Sequence, residues 1–416
     1  MPCSPRRSSG RPRPVLSAAS LLVAAGLIVT ACSSGAPAAK RAPGSSPAQK
    51  AVAASPATTS TTDPQLPAAF STPLDGPHLA PGSDPSALPG PILIADRTNN
   101  RLLVVNPQGQ IVWQFPRPGD LAPGQTFKIP DDAFFTPDGK YIIATEEDDF
   151  VISVIDVATG KIVYRYGHPG LSGAAPDYLW NPDDALMLPD GYILSADIKN
   201  CRLLLIGPDS HTPARIYGTT TNSCYHSPPA RFGSPNGAFP MANGHYLVTE
   251  INGDWVDEMG INGQIFDSFH PPGLSYPSDS NEVSPGVYVS VSYSDPGVLE
   301  TFNGQGQLLW RYKPLPGDPQ LNQPSLAMPL PNGDFLMNDD YNHRVVVIDP
   351  RTDKVVWQYG HTGVAGSAPG YLDKPDGVDL APPYSLLIRH APTMGQPSGA
   401  GQTATATPTT TTQPAG

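Results

Sequence analysis

The chain has 416 residues, with 25 basic against 37 acidic side chains and a formal net charge of −12. Such a balance excludes a nucleic acid and argues against an anionic lipid surface as the partner, since both select basic patches. It leaves cations, basic ligands and proteins as the partner classes to consider.

The first 31 residues read as an export signal. Arg6, Arg7, Arg11 and Arg13 give a positive start, and residues 15–31 form an apolar run ending in small side chains. Removing that segment leaves 21 basic and 37 acidic residues, a net of −16. The ending Val29-Thr30-Ala31-Cys32 resembles the lipobox of bacterial lipoproteins. The resemblance implies that Cys32 is lipidated and that the chain sits on the outer side of a cell membrane, held there by its lipid alone.

Residues 32–88 are mostly Ala, Pro, Ser, Thr and Gly. A segment so poor in large apolar groups does not offset its ordering entropy, and a disordered tether is expected. The Thr- and Pro-rich tail, 392–416, is expected to be disordered for the same reason. A single domain is left at 89–391, and a monomer is expected.

Within that domain a Pro-Asx signal followed by a short apolar strand recurs. It starts at Pro130, Pro182, Pro235, Pro277, Pro324 and Pro375, at intervals of 52, 53, 42, 47 and 51 residues. A strand-built repeat of this period is the mark of an all-β propeller. Each unit divides into four strands. The first follows the signal (133–135, 185–187), and a Pro-Asp-Gly or Pro-Asn-Gly turn leads to the second (141–145, 246–250). The third runs through stretches such as 151–156 and 344–349. The fourth carries alternating aromatics, as in 111–115, 162–166, 308–312 and 355–359, and suits an outer strand.

Six blades are expected, with seven as the alternative. Residues 91–116 supply only three strands of the first blade, so its inner strand is expected from 376–380 at the other end, closing the ring. Residues 385–388 look like one strand too many.

The turn between second and third strands repeats as Asp96, Asn99, Arg101, then Asp197, Asn200, Arg202, then Asp339, Asn342, Arg344. With its flanking apolar strands it resembles the NHL repeat. The fourth-strand pattern is similar to quinoprotein-type and YncE-like propellers. The resemblance implies a fold and no particular activity. In these turns the carboxylate is expected to take a charge-assisted bond from the arginine, a structural role. Cys201 and Cys224 lie in connections that leave one face of blade three, and outside the cytoplasm they can pair.

Because the Pro-Asx signal marks the entry of each inner strand, Asp131, Asp132, Asp183, Asp184, Asn236, Asp279 and Asp376 are expected around one channel mouth. Carboxylates and amides are oxygen donors, and Ca2+ is the cofactor that such a ring would take. Six-bladed lactonases and related esterases resemble this plan, although Ser325 and Leu326 interrupt the ring here. Three histidines, His168, His270 and His361, follow the fourth strands of alternate blades. They are weak candidates for zinc, because they start on the rim. No motif names a nucleophile or a general base. The reading is therefore a lipid-anchored propeller that binds a protein or small molecule at the mouth, with a metal-dependent hydrolase or lyase there as the alternative.

Overall fold

The structure, a computed structural model, describes residues 66–385. The export signal, Cys32, residues 32–65 of the expected tether, residues 386–388 and the 392–416 tail lie outside the described residues. Six four-stranded antiparallel sheets form a six-bladed β-propeller. The seven-blade alternative is corrected by that count.

Blade one contains β1 (Ile92–Asp96), β2 (Arg101–Val105) and β3 (Ile111–Phe115). Blade two runs β4 (Pro130–Phe135), β5 (Tyr141–Glu146), β6 (Val151–Asp156) and β7 (Lys161–Gly167). Blade three runs β8 (Pro182–Met187), β9 (Ile193–Asp197), β10 (Arg202–Ile206) and β11 (Pro213–Tyr217). Blade four has β12 (Pro235–Pro240), β13 (Tyr246–Glu250), β14 (Trp255–Met259) and β15 (Ile265–Phe269). Blade five has β16 (Pro277–Ser284), β17 (Val287–Ser292), β18 (Val298–Asn303) and β19 (Leu308–Arg311). Blade six has β20 (Ala327–Pro329), β21 (Phe335–Asp339), β22 (Arg344–Asp349) and β23 (Lys354–Gly360). The last strand, β24 (Pro375–Leu380), pairs with β1 and completes blade one.

The Pro-Asx signal has a definite backbone form. In blades two to five the register between first and second strands shifts at this step, as between Pro130 and Ala133 or Pro277 and Ser280. A bulge of this kind re-aims side chains that strict pleating would send to opposite faces. The residue before the proline is left-handed in five blades, at φ of 49° for Ile129, 56° for Asn181, 57° for Ser234, 50° for Gln323 and 52° for Lys374. For β-branched Ile129 that is a costly conformation, held by the surrounding structure.

Aromatic residues of the outer strands latch neighbouring blades. Trp113 donates its indole N–H to Val157 O at 3.0 Å and Trp357 to Pro107 O at 2.9 Å. Tyr164 donates to Ser210 O at 2.5 Å, and Trp310 to Asp353 at 3.1 Å. These polar edges find partners while the rings fill the seams between sheets.

Residues 66–88 depart from the expected tether. Phe70 is buried against Trp113 and Phe135. Leu74 N–H donates to Ile111 O, and the Asp75 carboxylate accepts from Ile111 N–H, both at 2.7 Å. Further on, Ala80 N–H reaches Gln358 O and Asp84 N–H reaches Val356 O. The segment is thus a strap across the outer strands of blades one and six. Phe70, Ala87 and Leu88 are buried along it, although Leu66 and Leu74 stay exposed, and composition alone does not reveal those grooves.

Ser385 is buried and donates to Asp379 at 2.9 Å, outside any strand. Cys201 and Cys224 are joined by a disulfide.

Candidate functional site

The six inner strands present two consecutive positions to the channel mouth. The upper position is Asp376, Asp131, Asp183, Asn236, Ser278 and Ser325, blade by blade, and all six line one cavity of about 120 Å³. The next position is Gly377, Asp132, Asp184, Gly237, Asp279 and Leu326. The bulges bring both positions to the same site, so the paired acids make two layers rather than one ring.

The upper layer has a counter-charge. Arg97 enters the mouth from the turn after β1, one-fifth exposed. Its guanidinium pairs with Asp131, lies 2.8 Å from Asp376 and 2.5 Å from Glu147, and is 3.6 Å from Asp148. Burial opposes the charge on Arg97, but Asp376 and Glu147 more than restore it.

The deeper layer has none. Its acids Asp132, Asp184 and Asp279 cluster with Asp183 from the upper position; all four are buried, and each offers an oxygen within 4.8 Å of the others. Both oxygens of Asp184, both of Asp279 and Oδ1 of Asp132 have no hydrogen-bond donor. Burial, then the charges of Asp279 and Asp183, pushes Asp132 well above the ordinary carboxyl range. Burial and Asp279 do the same to Asp183, and burial, Asp279 and Asp132 to Asp184. Burial, with the charge of Asp376 adding to it, pushes Asp279 to about 8. Four carboxylates this close do not all ionise unaided. They must hold protons, or they must share a cation.

The donor set fits a cation. Only oxygens converge, the choice of Ca2+. Space is also left for them. A Cβ on Gly237 would sit 2.2 Å from Asp184 Oδ2 and 2.2 Å from Asp279 Oδ1. A Cβ on Gly377 would sit 2.6 Å from Asp132 Oδ1. These two glycines stand where other blades carry the second acid, and their missing side chains give the neighbouring carboxylates room.

The seven candidates Asp131, Asp132, Asp183, Asp184, Asn236, Asp279 and Asp376 therefore share one mouth but not one role. Asp131 and Asp376 are held by Arg97, and Asn236 donates to Ser278 Oγ at 3.1 Å. At the gap in the ring Ser325 donates to Asp376 O at 2.6 Å, and Leu326 is buried. Sequence reasoning missed Arg97, Glu147, Tyr293 and Asp340. All four directly follow the last residue of a second strand, a position that the repeat register could have exposed.

His168, His270 and His361 lie on the rim, and none of the three joins a group of potential ligands among the described residues. His168 bonds Asp177 at 2.9 Å and stacks on Tyr178, and His361 stacks on Tyr371. His270 packs on Trp255 and bonds Asp254 O at 2.8 Å. The zinc expectation for this trio is corrected, because each imidazole is taken up by neighbours in its own blade or the loop leaving it, and the three form no shared ligand group.

Above the well lies a wider vestibule of about 690 Å³, lined in part by Lys128, Tyr293, Tyr341 and Lys374 and sharing Arg97 and Asp376 with the well. Lys374 sits 4.3 Å over the ring of Tyr341. A vestibule of this volume is in the range of small-molecule sites.

Fold and mouth define a β-propeller with an axial acidic site. No protein-family profile matches the chain, and no curated protein matches it. Solved structures overlay loosely. A protein of unknown function from Bacteroides caccae is 18% identical, with 70% of this chain and 98% of that chain covered and a TM-score of 0.48. Virginiamycin B lyase from Staphylococcus aureus, crystallised with quinupristin as an inactive variant, is 17% identical over 53% of this chain and 67% of its own, at a TM-score of 0.39. The WD40 β-propeller domain of Doa1 is 10% identical over 69% and 83%, at 0.42. At these identities and overlaps no activity is carried across.

Proposed function

We propose that this chain is an NHL-like binding propeller, exported and lipid-anchored through Cys32, that takes a ligand at the channel mouth above a divalent cation. The observation that carries the reading is the cluster of Asp132, Asp183, Asp184 and Asp279, buried, oxygen-rich and in no ion pair with a basic side chain. Ca2+ is the expected cation, and it would supply the positive charge that the layer lacks. The vestibule above it, with Lys128, Lys374 and two tyrosines, suits a small molecule or a protein side chain better than a flat protein face.

The alternative, a metal-dependent hydrolase or lyase at the same mouth, draws on one observation. Asp279, pushed to about 8, would be a protonated carboxyl at neutral pH when no cation is present. Binding is preferred because Arg97 is committed to four acids and the serine hydroxyls at the well are engaged, Ser325 donating to Asp376 O and Ser278 accepting from Asn236.

Thermal melting in excess Ca2+ and in chelator tests the reading. Ca2+ should raise Tm in the parent chain and leave Asp184→Asn nearly unmoved. Equal melting in both conditions would sink it.

A further inference from the structure

Five blades bury an acid near the junction of second and third strands and answer it with an arginine. Asp96, Asp197 and Asp339 accept from Arg101, Arg202 and Arg344 at 2.6, 2.7 and 2.8 Å. Glu146 accepts from Arg165 at 2.9 Å and Glu300 from Arg311 at 2.8 Å, both arginines on outer strands. Blade four departs from the pattern twice. It buries two acids, Glu250 at the end of β13 and Asp257 in β14, both fully. The outer-strand position that carries Arg165 and Arg311 holds Ser268 instead, since Ser153 pairs with Arg165, Glu300 with Arg311 and Asp257 with Ser268.

What stands over this pair is His226, from the loop between β11 and β12. Its Nδ1 lies 3.2 Å from Glu250 Oε2 and 3.8 Å from Asp257 Oδ2. The three side chains offer ligand atoms all within 4.8 Å of one another. One oxygen of each acid is already fixed. Glu250 Oε2 accepts from Gly233 N–H at 2.6 Å, and Asp257 Oδ1 from the Ser268 hydroxyl at 2.5 Å. The other oxygens, Glu250 Oε1 and Asp257 Oδ2, are buried without a donor. Carboxylates held on one oxygen and free on the other are what outer hydrogen bonds produce around a metal. The imidazole is fixed as well, stacked on Trp255 at 4.0 Å with an interplanar angle of 11°. The disulfide at Cys224 ties down the same loop two residues earlier.

We propose that His226, Glu250 and Asp257 form a second metal site, on the rim of blade four, that takes a zinc-like divalent ion. One imidazole nitrogen and two carboxylate oxygens make a three-ligand set that leaves a position for water, and the nitrogen separates it from the all-oxygen mouth. His226 is about one-fifth exposed (19%), which gives the ion a way in. A bound ion would fasten the loop ahead of β12 to blade four and replace the missing arginine.

The test uses the full chain, stripped with chelator, then titrated with Zn2+ by calorimetry and with Co2+ by visible absorption. One equivalent of Zn2+ should bind, and Co2+ should develop the strong visible bands of a low-coordinate nitrogen–oxygen site. His226→Gln should abolish both signals, while Asp184→Asn at the mouth should retain them. Ser268→Ala should weaken Zn2+ by roughly 10- to 100-fold, the usual effect of losing an outer hydrogen bond. Because the Co2+ spectrum is read on the unaltered chain, a variant that fails to fold leaves the test intact. Absence of Zn2+ uptake and of those bands, or uptake unchanged in His226→Gln, would overturn the proposal.

Discussion

The strand turns of blades one, three and six and the deep layer of the mouth both bury carboxylates, and they treat them in opposite ways. Each turn acid has its own arginine five residues on and an asparagine three residues on. Asp197, for example, accepts from Arg202 at 2.7 Å and from Asn200 at 2.8 Å. Asp132, Asp183, Asp184 and Asp279 crowd together with no arginine or lysine paired to any of them. The repeat neutralises its structural acids within one stretch of sequence, so a buried acid that the repeat leaves unanswered marks a place where something else must supply the charge.

The contrast can be broken most forcefully at the turns. Arg202→Ala should cost about 3–5 kcal/mol in denaturant unfolding, because it strands a fully buried carboxylate, and added Ca2+ should not repair it. A loss below about 1 kcal/mol would remove the distinction between the two kinds of acid. At the mouth, Gly237→Ala should cost about 1–3 kcal/mol and also erase the Ca2+ response, since its Cβ would occupy the space of two carboxylate oxygens. An unchanged Ca2+-dependent rise in Tm would show that the layer does not hold the ion.

The gentlest test is pH. The deep acids bind more protons in the folded chain than in the unfolded one. Their contribution to stability is therefore full below the ordinary carboxyl range and is lost as pH rises toward the folded values, about 8 for Asp279. In chelator, Tm should fall between pH 5 and pH 8, by about 2 °C for each kcal/mol lost in a domain of this size. Saturating Ca2+ should flatten that slope, and a slope indifferent to Ca2+ would reject the cation.

Much of this was legible in the chain. Pro-Asx marked each inner strand because a proline and a short polar side chain suit the bulge that begins it, and the ring closure by 376–380 followed from counting strands. Asp-x-x-Asn-x-Arg announced its own hydrogen bonds because all three partners lie within six residues. Arg97 did not announce itself, since it occupies a filler position of that motif where blade three has Ile198 and blade six Asp340. Its importance comes from acids 34 to 279 residues away. His226 was equally silent, because the missing arginine that gives it meaning is an absence on another strand. The strap at 66–88 looks like tether in composition because burial there depends on grooves made by residues far along the chain.

The closure of blade one also bears on how the molecule comes into being. β1 is among the first strands made, and its free edge, beside Ile92 and Ile94, is not covered until β24 arrives nearly 300 residues later. During synthesis and any passage through a membrane, that edge must wait with its backbone groups unpaired. A chain cut just before Pro375 would therefore be more than a propeller short of one strand. It would keep an adhesive edge permanently, and its fate would be to pair with its own copies.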